Sequence, residues 1–267
     1  MKTYPGVLAR ASGLLVALLL AAPWAQACGP YDIAFYELGS LYYQNASKQY
    51  VGIDKDLIEE IGRRSGCRFR QESDARARIW IRLAEGSLDM SVSGIPTPER
   101  DQFARFIIYF QTRNHLLMAP EKAARIDSLR AFYADPALRL GVVKSFKHGK
   151  GFDAWIDTLR ALGRVTEYVD ADAVFSAFVE NEIDGLLAMP VVWGPLVLRH
   201  KLDGKVSYLD IAPDDRVPHG LILSRKRVSE PDAERLRAAM EAMRSDGTLE
   251  KIFQRHLGAD LARRIMP

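Results

Sequence analysis

From Tyr31 onward, short apolar runs of strand length alternate with stretches whose apolar residues recur at helical spacing, and this alternation constrains the chain more than any other feature. Tyr31 to Tyr36 reads as a buried strand. Asp54 then caps a helix that has Leu57, Ile58 and Ile61 on one face and Gly66 just past its end. Cys67 to Gln71 is the next strand, and a helix around Ile79, Trp80 and Leu83 leads into a strand over Leu88 to Ser93. Further strands are expected at Arg139 to Val143, Val165 to Val169 and Ile183 to Ala188. The helices between them place Phe152, Trp155, Ile156 and Leu159, then Val174, Phe175 and Phe178, on their inner faces. Two strands joined by one helix should be parallel neighbours with a right-handed crossover, so the fold class is α/β. A strand from His219 to Ser224 and two helices, one begun by Ser229-Glu230-Pro231 and one after Asp246-Gly247-Thr248, close the chain.

One segment is repeated in outline. Leu83-Ala84-Glu85-Gly86-Ser87-Leu88-Asp89 is echoed by Phe178-Val179-Glu180-Asn181-Glu182-Ile183-Asp184: helix end, Glu, a residue tolerant of left-handed backbone, an apolar residue, Asp, then a buried strand. Two lobes on one plan would produce this echo. Asp89 and Asp184 each stand at the mouth of a strand, which gives them structural rather than catalytic roles.

Residues 1–27 have the three parts of an export signal: Lys2 and Arg10, an unbroken apolar run from Leu14 to Ala22, and the small-x-small pattern Ala25-Gln26-Ala27. Those two cations account for most of the formal net charge of +3. The remaining charges are scattered, so nucleic acid is not an expected partner. In an oxidising compartment the only two cysteines, Cys28 and Cys67, invite a disulfide. Both would lie at the same end of adjacent parallel strands. The rival reading is a lipoprotein lipidated at Cys28, although Ala25 and Gln26 fit a lipobox poorly and Cys67 would then be a free thiol. The five histidines show no metal-ligand spacing, and Gly149-Lys150-Gly151 lacks the full phosphate-loop pattern, so neither a metal nor a cofactor is expected.

Four segments in order resemble the amino-acid-type solute-binding proteins of ABC transporters, bacterial extracellular solute-binding protein family 3. They are Gly52-Ile53-Asp54-Lys55-Asp56-Leu57, Gly86-Ser87-Leu88-Asp89-Met90, Thr97-Pro98-Glu99-Arg100 and Asp246-Gly247-Thr248-Leu249-Glu250-Lys251-Ile252. The resemblance covers about residues 31 to 258. It implies a two-lobe clamp of the periplasmic-binding-protein type II class, closing on a small carboxylate-bearing ligand. One lobe is expected over 28–110 and 219–267, the other over 111–218, with crossings near Tyr109 to Asn114 and Asp215 to His219.

By the same resemblance, Arg100 should fork onto the ligand's carboxylate, with Ser93 and Thr97 adding donors. A planar guanidinium suits that geometry and stays charged when desolvated. From the second lobe, the strand-to-helix turn with Lys144 and Ser145 should offer amides to the ligand. Met189 stands where relatives that bind α-amino acids carry an ammonium-holding Asp, and Arg76 about where they carry a stacking aromatic. The expected pocket is therefore rich in cations and poor in ammonium acceptors unless Glu37 substitutes, with Tyr36 and Tyr42 as walls. The implied partner is a membrane permease, and the implied molecule a periplasmic monomer. A sensory or accessory binding protein is the alternative, followed by a dehydratase-type enzyme, for which Glu37 and His148 are the acid-base candidates.

Overall fold

The computed structural model describes residues 1–2 and 28–265. Beyond its first two residues, the expected export signal lies outside the described residues. Numbering elements along the chain, the first sheet contains β1 (Tyr31–Phe35), β4 (Phe69–Ser73), β5 (Met90–Gly94), β6 (Ala104–Thr112) and β12 (Val217–Ser224). Its order is β4-β1-β5-β12-β6, with a small hairpin, β2 (Tyr43–Gln44) and β3 (Tyr50–Val51), beside it. The second sheet contains β7 (His115–Met118), β8 (Leu140–Val143), β9 (Val165–Tyr168), β10 (Gly185–Ala188) and β11 (Ser207–Leu209), in the order β11-β7-β10-β8-β9. Read from the other edge, the second order repeats the first: a parallel trio, then a strand antiparallel to it, then an edge strand. The architecture is a two-lobe α/β fold.

The helices of the first lobe are α1 (Ile53–Ser65), α2 (Arg76–Glu85), α8 (Glu230–Ser245), α9 (Thr248–Leu257) and α10 (Ala259–Ile265). Those of the second are α3 (Pro120–Ala123), α4 (Leu129–Ala134), α5 (Lys150–Ala161), α6 (Ala171–Val179) and α7 (Pro190–Arg199). Apolar spacing explains the packing: α1 buries Leu57, Ile58 and Ile61, and α5 buries Phe152, Trp155, Ile156 and Leu159. None of the described helices is long and apolar enough to cross a membrane.

The echoed segments occupy equivalent places. Gly86 and Asn181 both take positive φ, at 84° and 61°. Asp89 Oδ2 accepts from the backbone N–H of Asp32 at 2.8 Å, and Asp184 Oδ2 from that of Arg139 at 2.8 Å, so each carboxylate pins the start of its neighbouring strand. Each also pairs with a cation beyond the next strand over, Arg227 and Lys122 respectively. A disulfide joins Cys28 to Cys67 across the entry to β1 and β4, which pair in parallel from Tyr31 opposite Phe69.

Some expectations need correction. The helix α1 starts at Ile53 with Gly52 as its cap, so Asp54 lies inside the helix and is buried. Strand β4 begins two residues later than expected, because Cys67 and Arg68 are spent on the disulfide and on bonds to Cys28 and Tyr31. Strands β6, β7 and β11, absent from the apolar-run reading, carry the chain to and from the second lobe, which it enters after Thr112 and leaves before Val217.

Candidate functional site

A cleft of about 640 Å³ separates the lobes, within the usual size for small-molecule sites. On the first-lobe side Tyr36, Glu37, Tyr42 and Arg76 line it, at and beyond the C-terminal ends of β1 and β4; Val143, Phe146 and Asp170 face them from the second lobe. Tyr42 is held between Phe35 and Tyr50 by stacking, each with ring centroids 4.7 Å away, and its hydroxyl meets Ser73 Oγ at 3.0 Å. Glu37 is exposed and accepts from the Tyr50 hydroxyl at 3.2 Å.

Behind this wall two guanidinium groups are buried together. Arg76 and Arg100 are 4% and 7% exposed, and neither is bonded to a carboxylate. Arg76 lies 4.1 Å from the Tyr36 ring centre and 4.9 Å from Trp80, with Phe146 of the second lobe at 5.9 Å. Its head group makes only long contacts, 3.5 Å each, to the carbonyls of Val92 and Ser93, and its Nε has no partner. Arg100 sits 3.8 Å from the centre of the same Trp80 ring, and donates to Ile95 O at 2.8 Å and to Ser145 O of the second lobe at 3.0 Å. Burial, and then the neighbouring Arg76 charge, pull the Arg100 pKa down to about 9. Burial lowers that of Arg76 as well.

The backbone shapes this cluster. Between β5 and β12 the register shifts, with Gly220 opposite Gly94 but Ile222 opposite Ser91, so β5 carries an extra residue. Ser93 takes positive φ there, 51°, and its carbonyl meets the Tyr36 hydroxyl, Arg76 Nη2 and His219 Nδ1 at 3.3 to 3.5 Å. Ser145, at φ 62°, offers its carbonyl to Arg100 from the second lobe. A second contact between the lobes is Ser40 N–H to Val191 O at 2.8 Å, where Gly39 leaves room: a Cβ there would stand 2.4 Å from Val191 O.

Several expected ligand groups have other employment. The Ser93 hydroxyl donates to Asp54, so it does not face the cleft. Thr97 accepts from the Arg100 N–H at 3.2 Å and fixes the turn that carries Arg100. Lys144 and Ser145 are exposed and line a separate depression with Asp153, Arg160 and Glu167. The α5 N-terminus is already taken: the amides of Gly151 and Phe152 both donate to Asp215 Oδ2 at 3.0 Å, against the side of Gly149. Met189 is 1% exposed, in the apolar wall behind Phe146. Of the expected residues, Tyr36, Glu37, Tyr42 and Arg76 line the cleft; Arg100 is buried behind it against Trp80, and Ser93, Thr97, Lys144, Ser145 and Met189 are not part of its lining.

Two participants escaped the sequence reading. Asp54 accepts from Tyr109 at 2.6 Å and from Ser93 at 2.8 and 3.0 Å; burial pushes its pKa up to about 7 against the pull of those bonds. Trp80 reads as core, yet it stands one helical turn from Arg76, a spacing that puts both side chains on one face.

The sequence profile of the bacterial extracellular solute-binding proteins, family 3, matches residues 38–259. The chain belongs to this family. Among solved structures it is similar to an ancestral arginine-binding protein bound to arginine, at 18% identity and TM-score 0.72, covering 87% of this chain and 100% of that one. An ABC uptake transporter substrate-binding protein from Streptococcus pneumoniae with bound histidine matches at 16% identity, TM-score 0.73 and 86% and 93% coverage. A histidine kinase sensor domain with similarity to periplasmic binding proteins matches at 9% identity, TM-score 0.73 and 87% and 97% coverage. At these identities the likeness shows the fold alone. No curated protein sequence matches.

Proposed function

We propose that this binding protein takes a small carboxylate-bearing solute, anionic or at least without an essential α-ammonium, into the interlobe cleft in the periplasm. It would deliver that solute as a monomer to the permease of an ABC transporter, without catalysis. On this reading the lobes divide at the ends of β6 and β12, two residues from the bounds of 110 and 219 expected from the sequence, into 28–112 with 217–267, and 113–216. The observation that carries this reading is the pair Arg76 and Arg100, two buried cations whose bonded acceptors are all carbonyl oxygens. Burying a charge without a countercharge is costly, and an incoming carboxylate would offset that cost for both groups. Arg100 reaches Ser145 across the cleft, so a ligand held there would touch the same contact that closes the lobes.

The test is a thermal-shift screen of the exported chain against amino acids, dicarboxylates and other small acids, since a ligand that binds the folded state raises its melting temperature by mass action. Acids lacking an amine should give the larger shifts. A response confined to α-amino acids would contradict the anionic reading, and shifts from uncharged sugars alone would contradict the carboxylate anchor.

A further inference from the structure

Against the two chain crossings lies a second cavity of about 330 Å³, which shares no lining residue with the interlobe cleft. It is bordered by Arg113 on the first crossing, Arg216 on the second, Trp193 in α7, and Leu261 and Ile265 of α10. Three features single it out. Of the buried side-chain polar atoms without a partner among the described residues, Arg113 Nε, His115 Nδ1 and Trp193 Nε1 all belong to residues of this one lining. Such atoms are rare in folded proteins, and three in one wall point to a missing partner. Second, Arg216 is exposed and its guanidinium has no partner among the described residues, whereas Arg113 is paired with Asp210 at 2.8 Å. The wall therefore holds two guanidiniums against one carboxylate. Third, beside the polar Gln111 and Thr112 the lining has an apolar and aromatic side made of Pro190, Trp193, Leu261 and Ile265: Trp193 packs against Tyr208 with centroids 4.3 Å apart, and α10 supplies Leu261 and Ile265 from beyond the stretch that matches the family.

We infer that this cavity is a second binding site, separate from the interlobe cleft, for a small monoanion with an aromatic or compact apolar body. The anionic group would meet Arg216 and Arg113, the Trp193 indole N–H would donate one further bond after a small side-chain shift, and the body would lie against Trp193, Leu261 and Ile265. Because residues from both crossings form the wall, an occupant touches the segments through which the lobes move relative to each other.

The experiment is calorimetric titration of the exported chain with naphthalene-1-sulfonate, repeated on Arg216→Glu and Arg100→Ala. Arg216 is exposed, so its replacement should leave the fold intact. The expected result is one site per chain, weakened about tenfold or more in Arg216→Glu and unchanged in Arg100→Ala. The titration should also quench tryptophan fluorescence, and Trp193→Phe should remove that signal. No binding by the unmodified chain would overturn the inference. So would binding lost in Arg100→Ala but kept in Arg216→Glu, which would place the probe in the interlobe cleft, or equal affinity in all three proteins, which would mean an adventitious additive only.

Discussion

The two lobes share a strand plan and a pair of strand-entry aspartates, yet their cleft-facing ends are chemically opposite. Beyond β4 and β5 the first lobe holds two buried guanidiniums, Arg76 and Arg100, with the buried carboxyl of Asp54 on α1 bonded to Ser93 and Tyr109. The second lobe presents the Ser145 carbonyl, Phe146 and the carboxylates of Asp170 and Asp172, while the N-terminus of α5 is closed by Asp215. The shared part of the plan holds strands together, and in the proposed function the unshared part does the recognition. On this account the first lobe reads the ligand's charge and the second lobe closes over it.

The largest expected effect breaks that asymmetry directly. Removing one partner of a buried, charged hydrogen bond costs about 2 to 5 kcal/mol, so Arg100→Ala should weaken binding of an acid found in the screen by roughly 30-fold to several thousand-fold. Lys144→Ala, at an exposed position outside the cleft, should change affinity little. Calorimetry on both variants checks this, and the reverse order would assign charge reading to the second lobe.

A second difference lies in the staple. Only the first lobe has a disulfide, its cysteines 39 positions apart in sequence, and closing such a loop should stabilise by roughly 3 to 4 kcal/mol in the chain-entropy model. Replacing both Cys28 and Cys67 by serine should raise amide exchange in β1, β4 and α1 while leaving β8 to β10 nearly as protected as before. Uniform loss of protection would show that the lobes unfold as one unit.

The strand-entry aspartates sharpen the comparison from the opposite side, because here the lobes should behave alike. Asp89→Ala and Asp184→Ala each strip an acceptor from a backbone N–H, at an expected cost of about 1 to 3 kcal/mol in urea denaturation. Costs differing by several kcal/mol would mean that the echo is one of sequence and not of function.

A smaller effect concerns pH. Burial raises the Asp54 pKa to about 7, so between its ordinary value near 4 and 7 the folded state holds more proton than the unfolded, and stability falls as pH rises through that window. Burial drives His219 the other way, to about 3, so between 3 and about 6.5 the unfolded state binds the proton and stability rises with pH. The two contributions oppose each other over most of the same range. Asp54→Asn should leave the rising His219 contribution unmasked, giving a steeper increase of melting temperature from pH 4 to 6.5 than the unmodified chain shows. Parallel profiles would contradict the raised Asp54 value.

Much of the fold was legible because it rests on local pattern. The apolar spacing of Leu57, Ile58 and Ile61, and of Phe152 to Leu159, marks helix faces that the structure buries. The cysteine pair and the Gly86 and Asn181 turns follow from equally local reasons. The site was legible only in part. Arg100 and Arg76, which the structure buries together, stand out in the sequence because a charged residue in a matched motif, or in place of an expected aromatic, is visible in one dimension. Asp215 capping α5, the bulge that turns the Ser93 carbonyl, and the meeting of Asp54 with Tyr109 could not, since each depends on segments brought together from 16 to 126 positions apart or on register within a sheet. Strands β7 and β11 escaped for a related reason: at four and three residues, their alternation is too short to stand out.

The central claim is that the first lobe's paired guanidiniums hold the ligand's carboxylate, and a crystal structure of the chain with the tightest-binding acid tests it most directly. The account predicts both carboxylate oxygens within hydrogen-bond distance of the Arg100 or Arg76 guanidinium, with Phe146 closed over the ligand's body. A carboxylate held instead by second-lobe amides, with Arg76 and Arg100 still bonded only to main-chain carbonyls, would contradict it.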